Sequence, residues 1–143
     1  MSDDIYQKTL LRLAAEAIGA GRLDAPDASA TVDNPLCGDR ITLDVRLDHS
    51  GRVAEIGHHV RACVLCQASA SIVGERAAGE TPARLREVAA ALAAMLAGRG
   101  PTPDRKWADL GAFEPVAGHK SRHACVLLPF DALTRALDEI EAG

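Results

Sequence analysis

The sequence predicts an α+β fold: a small antiparallel three-stranded sheet with helices packed on one face and an N-terminal helix preceding it. Three observations carry this. Residues 40–48 alternate apolar and polar, a second short run follows across a His49-Ser50-Gly51 turn, and everything after Cys63 changes to helical spacing. Strands first and helices afterwards is the order expected of an α+β chain. With 143 residues, the chain is expected to form one domain, 1–143, large enough to bury a core. Aromatic residues make up only 3%, so Leu, Val, Ile and Ala must build that core.

The first helix is expected over Ile5 to Ala20, where Leu10, Leu11, Leu13, Ala14 and Ile18 form an apolar stripe and Gly19 and Gly21 punctuate its end. A connector rich in Asp, Ala and Pro follows, with a short first strand near Ala28 to Val32. In the run from Arg40 to Asp48, Ile41, Leu43, Val45 and Leu47 face one way, while Thr42, Asp44 and Arg46 face the other. Val53 to Val60 completes a hairpin. A helix is predicted from Cys63 to Ala78, and Pro82 sits early in the next, whose Leu85, Val88, Leu92 and Met95 share a face. Two glycines and two prolines break the chain over Gly98 to Pro103. Trp107, Leu110 and Phe113 suggest one or two helical turns, and a final helix is expected from Pro129 to Ala142.

Composition removes several function classes. A net charge of −4 supplies no basic footprint for nucleic acid. No apolar run approaches the roughly 20 residues of a membrane span. The acidic start, Met1-Ser2-Asp3-Asp4-Ile5-Tyr6, does not read as a secretory signal, which places the chain in the cytoplasm. Four cysteines in that reducing compartment point to metal or sulfur chemistry more than to disulfides.

Those cysteines fall in three elements. Cys63 and Cys66 lie three apart at a predicted helix start, where the positive end of the macrodipole favours a negative ligand group. Cys37 and Asp39 lie two apart just ahead of the alternating strand, a spacing that in extended backbone points both side chains to one side. Cys125 follows Arg122 and His123 immediately before the predicted last helix. One Cys-x-x-Cys pair cannot complete a tetrahedral site. If the fold brings these ends together, Cys37, Asp39, Cys63 and Cys125 supply three soft thiolates and one harder, more exchangeable carboxylate.

Asn34-Pro35-Leu36-Cys37-Gly38-Asp39-Arg40-Ile41, with Cys63 ahead of Ala68-Ser69-Ala70-Ser71 and Arg122 and Cys125 ahead of Val126-Leu127-Leu128, resembles the IscU/SufU/NifU N-terminal family of iron–sulfur cluster assembly proteins. The sequence is most similar to the SufU-like branch. Arg122 stands three before Cys125, and 61 residues separate Cys63 from Cys125, room for an insert at about 98–118. His123 is two before Cys125 rather than adjacent, Ala62 stands where the family usually has glycine, and Cys66 occupies a position often held by Ser.

The resemblance implies a metal and cofactor site of Cys37, Asp39, Cys63 and Cys125. That site would hold a zinc ion or a transient [2Fe–2S] cluster. It also implies a pyridoxal-phosphate cysteine desulfurase as sulfur donor and downstream cluster or sulfur acceptor proteins as partners. Cys125 would be the sulfur acceptor, and Arg122 would balance the negative ligand set. Such a protein is a scaffold or persulfide-accepting sulfurtransferase rather than a conventional enzyme. The alternatives are a zinc-dependent sulfur-transfer partner, a structural zinc-binding interaction module, and a thiol-redox protein using Cys63 and Cys66. His58 and His59 read as structural or solvent-facing, and Ser69 and Ser71 as packing residues.

Overall fold

The computed structural model describes residues 2–35 and 38–142, and its architecture is the predicted α+β. Helix α1 (Ser2–Glu16) precedes a meander of β1 (Ala28–Asn34), β2 (Asp39–Leu47) and β3 (Val53–Arg61), then α2 (Val64–Arg76) and α3 (Pro82–Leu96). A long run of 3₁₀ turns (Arg105–Gly118) and a shorter one (Lys120–Arg122) lead into α4 (His123–Ala142). The strands pair antiparallel in the order β1-β2-β3, with Val32 opposite Ile41 and Leu43 opposite His58.

Ile41, Leu43 and Val45 turn their fully buried side chains to the core face. Helix α4 packs on β1 and β2, α2 packs on β3, and α1 and α3 lie against α2 and α4 respectively. The opposite face of β2 is not simply solvated as alternation suggests, for Asp44 is fully buried there. Arg22 closes over it with a two-pronged contact at 2.7 and 3.0 Å, and Ser29 Oγ and the Leu23 N–H also donate to its carboxylate. Burial alone would push Asp44 upward, but these donors and the Arg22 charge outweigh it and hold the carboxyl below its ordinary value.

Two helix boundaries differ most from the sequence expectation. α1 stops at Glu16, four residues before Ala20, because long-range contacts capture the chain there. Ala17 turns to φ +45°, the Ile18 N–H donates to Ser71 Oγ at 3.1 Å, and His58 Nε2 donates to the Ile18 carbonyl at 2.9 Å. Gly74 makes room for this crossing, since a Cβ on it would lie 2.1 Å from the Ile18 oxygen. At the other end, α4 begins at His123, six residues before Pro129, so Pro129 sits inside the helix. Proline cannot donate to the carbonyl four residues back. Beside that defect the buried Ser69 hydroxyl donates to the Val126 carbonyl at 2.7 Å.

The segment between α3 and α4 has more structure than the one or two turns expected of it. Trp107, Leu110 and Phe113 are fully buried, and the Trp107 ring meets Phe130 of α4 at a tilted 58° and 6.0 Å between centroids. The Trp107 indole N–H donates to Glu80 at 2.7 Å. His123 Nε2 is shared between the carbonyls of Val116 and Ala117 at 3.2 and 3.0 Å, so this histidine ties the 3₁₀ run to the start of α4.

Candidate metal centre

Three element ends converge at one edge of the sheet. Asp39 opens β2 opposite Asn34, and Arg40 pairs with Arg61, the last residue of β3. Antiparallel pairing therefore brings the chain just beyond β3 back beside Asp39, and Cys63 arrives there as the N-cap of α2 with an extended backbone (φ −68°, ψ 170°). Cys125 lies in the first turn of α4, inside the helix rather than ahead of it.

One ligand atom from each of Asp39, Cys63 and Cys125 falls within 4.8 Å of the others. Asp39 and Cys125 are buried and Cys63 is half-buried, so the cluster opens to solvent on the Cys63 side. Asp39 Oδ1 accepts the Cys63 N–H at 3.1 Å, and the Cys63 thiol lies 3.4 Å from Oδ2. A thiolate and a carboxylate oxygen sharing a tetrahedral zinc ion stand about 3.5 Å apart, and two thiolates about 3.8 Å. The observed spacing therefore fits a common ion with small side-chain movements. Two sulfurs and one oxygen also match a borderline-soft metal better than a hard one.

Cys37, the fourth residue of the expected set, lies outside the described residues. Cys66 does not join the described cluster: it is fully buried in the core on α2, so the apparent Cys-x-x-Cys pair is divided between two environments. Arg122 is exposed on the turn before α4. With Leu65, Pro115, Val116 and His119 it lines an open cavity of about 480 Å³ that begins two residues after Cys63 and ends three before Cys125. No local pattern signals this cavity, whose walls combine the start of α2 with the end of the long 3₁₀ run and the turn after it.

His58 is buried and bonded to Ile18, while its neighbour His59 is exposed, so neither belongs to the cluster. Ser69 and Ser71 are buried packing residues that also satisfy the backbone polar groups of Val126 and Ile18. The residue that sequence reasoning missed is Gln67, whose side-chain amide donates to the Ala62 carbonyl at 2.8 Å, immediately before Cys63.

Comparison with known proteins places this geometry in context. The family described as the NifU-like N-terminal domain matches residues 5–126. The crystal structure of the N-terminal part of a nitrogen-fixing NifU-like protein from Brucella abortus superposes with a TM-score of 0.92 at 41% identity, over 98% of this chain and 96% of that one. The iron–sulfur cluster assembly scaffold protein IscU of Thermotoga maritima is 29% identical over 138 residues, which cover 95% of this chain and 94% of the relative. A protein of the same name from Streptococcus pyogenes serotype M1 is 26% identical over 117 residues, covering 82% and 72%.

Proposed function

The chain belongs to the NifU-like N-terminal domain family, and from that premise we propose that it is an iron–sulfur cluster assembly scaffold whose cargo is held by Cys37, Asp39, Cys63 and Cys125. The observation that carries this reading is the convergence of Asp39, Cys63 and Cys125 donor atoms within 4.8 Å at one partly open edge. Three thiolates retain a soft metal or cluster, and one carboxylate gives a ligand that exchanges more readily when cargo must leave.

Sulfur would come from a pyridoxal-phosphate cysteine desulfurase. The Cys125 thiolate attacks the terminal sulfur of the donor's persulfide. A new S–S bond forms on Cys125 as the donor's S–S bond breaks, and the donor cysteine leaves as thiolate. Arg122, at the exposed mouth, offers a cation against the negative charge of the ligand set. The sulfur is then built into a cluster and passed to an acceptor protein. No helix among the described residues is long and apolar enough to cross a membrane, and we assign this work to the cytoplasm.

A second reading keeps the same residues but makes the protein a zinc-dependent sulfur relay. The spacing of the donors favours it, since the Cys63 thiol lies 3.4 Å from Asp39 Oδ2, close to the separation of two ligands on one tetrahedral zinc ion. We read the segment at about 98–118 as an insert. When bound, zinc would hold the thiolates and protect them from adventitious oxidation. The deciding experiment is anaerobic purification with metal analysis and visible absorption, run beside a sulfur-transfer assay with the matching desulfurase. A coloured protein that builds a cluster supports the scaffold. A colourless one with stoichiometric zinc that stimulates the desulfurase without building a cluster sinks it in favour of the relay.

A further inference from the structure

We propose that Gln67 is a positioning residue for the centre: its side-chain amide and the Asp39 carboxylate grip opposite ends of the peptide group joining Ala62 to Cys63. The inference rests on reading Asp39, Cys63 and Cys125 as a metal or cluster site. Gln67 Nε2 donates to the Ala62 carbonyl at 2.8 Å, and the Cys63 N–H of the same peptide unit donates to Asp39 Oδ1 at 3.1 Å. A peptide group is planar, and in the trans form its C=O and N–H point opposite ways. A hydrogen bond at each end therefore fixes the rotation of the plane, and with it the direction in which Cys63 presents its sulfur.

Gln67 suits the task by length and by place. It stands one turn inside α2, and its own backbone N–H donates to the Cys63 carbonyl at 3.0 Å. One residue thus holds two successive carbonyls, those of Ala62 and Cys63. The Cys63 side chain makes no capping bond at this helix start, so it remains available to the site. Gln67 is half-buried and lines a cavity of about 250 Å³ with Ala14, Ala17 and His58. The consequence is a division of labour. Asp39 both ligates and holds the Cys63 N–H, so any movement of Asp39 to exchange cargo releases that N–H. The Gln67 bond is independent of Asp39 and keeps the Cys63 peptide in place while the carboxylate moves.

The test uses the full chain, loaded with cobalt(II) to read thiolate-to-metal absorption and titrated with zinc in competition. Gln67→Glu, which keeps the shape and loses the donor, is expected to weaken zinc binding about tenfold, as outer-shell partners of metal ligands commonly do. Gln67→Ala, a neutral change to a strong helix former, gives the same loss with an unchanged unfolding midpoint of the metal-free protein, and carries the test if the Glu variant misfolds. Gln67→Lys retains a donor and recovers most of the affinity. Combined with Asp39→Ala, Gln67→Ala loses more than the product of the two single losses, because both bonds restrain one peptide group. Zinc affinity equal to wild type in the Ala variant overturns the proposal, as does equal weakening in the Glu and Lys variants. A wild-type chain that binds neither cobalt nor zinc overturns the metal reading itself, whereas wild-type binding with unaffected variants removes Gln67 alone.

Discussion

Asp39 meets Cys63 twice, once through the backbone N–H at 3.1 Å and once through the thiol at 3.4 Å. The carboxylate is therefore oriented by the residue with which it would share an ion. Removing it has two effects, loss of the oxygen ligand and loss of a restraint on Cys63. For Asp39→Ala we expect a cluster that persists, because the ligand most able to exchange has gone. Anaerobic reconstitution followed by transfer to an acceptor protein measures this. Release should slow measurably relative to wild type, and release as fast as wild type would count against a labile role for Asp39.

The separation of Cys63 from Cys66 makes opposite predictions for two serine variants. Cys125→Ser and Cys63→Ser should each reduce bound metal from about one equivalent to a small fraction, since a tetrahedral site loses a thiolate. Cys66→Ser should keep its metal and its sulfur transfer. Placing a hydroxyl in the core should lower its stability by about 1–2 kcal/mol. Metal analysis and urea unfolding on the three proteins decide it. Loss of metal in Cys66→Ser would return that thiol to the ligand set.

His58 gives the fold an acid-sensitive joint. Burial pushes its imidazole below the ordinary value of 6.5, against the opposing pull of the backbone carbonyls it bonds. The unfolded chain therefore takes up this proton at a higher pH than the folded one. The His58 contribution is fully present above about pH 6.5 and is lost as pH falls from there through the folded-state value. Urea unfolding between pH 8 and pH 5 should show the decline, and His58→Gln should flatten it while costing about 1 kcal/mol at pH 8. Parallel pH curves for the two proteins would remove His58 as the source.

Gly74→Ala should be among the most damaging single changes in the chain. The added methyl would sit 2.1 Å from the Ile18 oxygen and 3.0 Å from the Gly19 Cα, both backbone atoms that cannot swing aside. Destabilisation of about 3 kcal/mol or more is expected, at the upper end for an overpacked site. Chemical denaturation measures it directly. A stability within 0.5 kcal/mol of wild type, about the limit for innocuous surface changes, would mean that the crossing of residues 17–21 over α2 yields easily.

Local pattern was enough for the parts of this fold that local pattern controls. The alternation of Ile41, Leu43 and Val45 is the buried face of β2, and Leu85, Val88, Leu92 and Met95 are the buried face of α3. It failed where distant residues set the outcome. Glu16 ends α1 because Ser71, His58 and Gly74 wait forty or more residues away, and Asp44 is buried because Arg22 folds over it. Pro129 read as a helix start, yet α4 opens at His123 under the pull of the 3₁₀ run. For the centre, Asp39, Cys63 and Cys125 were readable from their motif contexts, whereas no local spacing could show that Gln67 reaches back to Ala62.

The three converging donor residues stand in β2, at the start of α2 and in α4, in that order along the chain. During synthesis Cys37, Asp39 and Cys63 therefore leave the ribosome 62 or more residues before Cys125, and a growing chain holds three of the four proposed donors, one short of a tetrahedral set. The fourth donor joins only when α4 docks on the sheet. Completion of the proposed ligand set and completion of the fold thus fall at the same moment, and a truncated chain that stops short of α4 lacks one thiolate of that set.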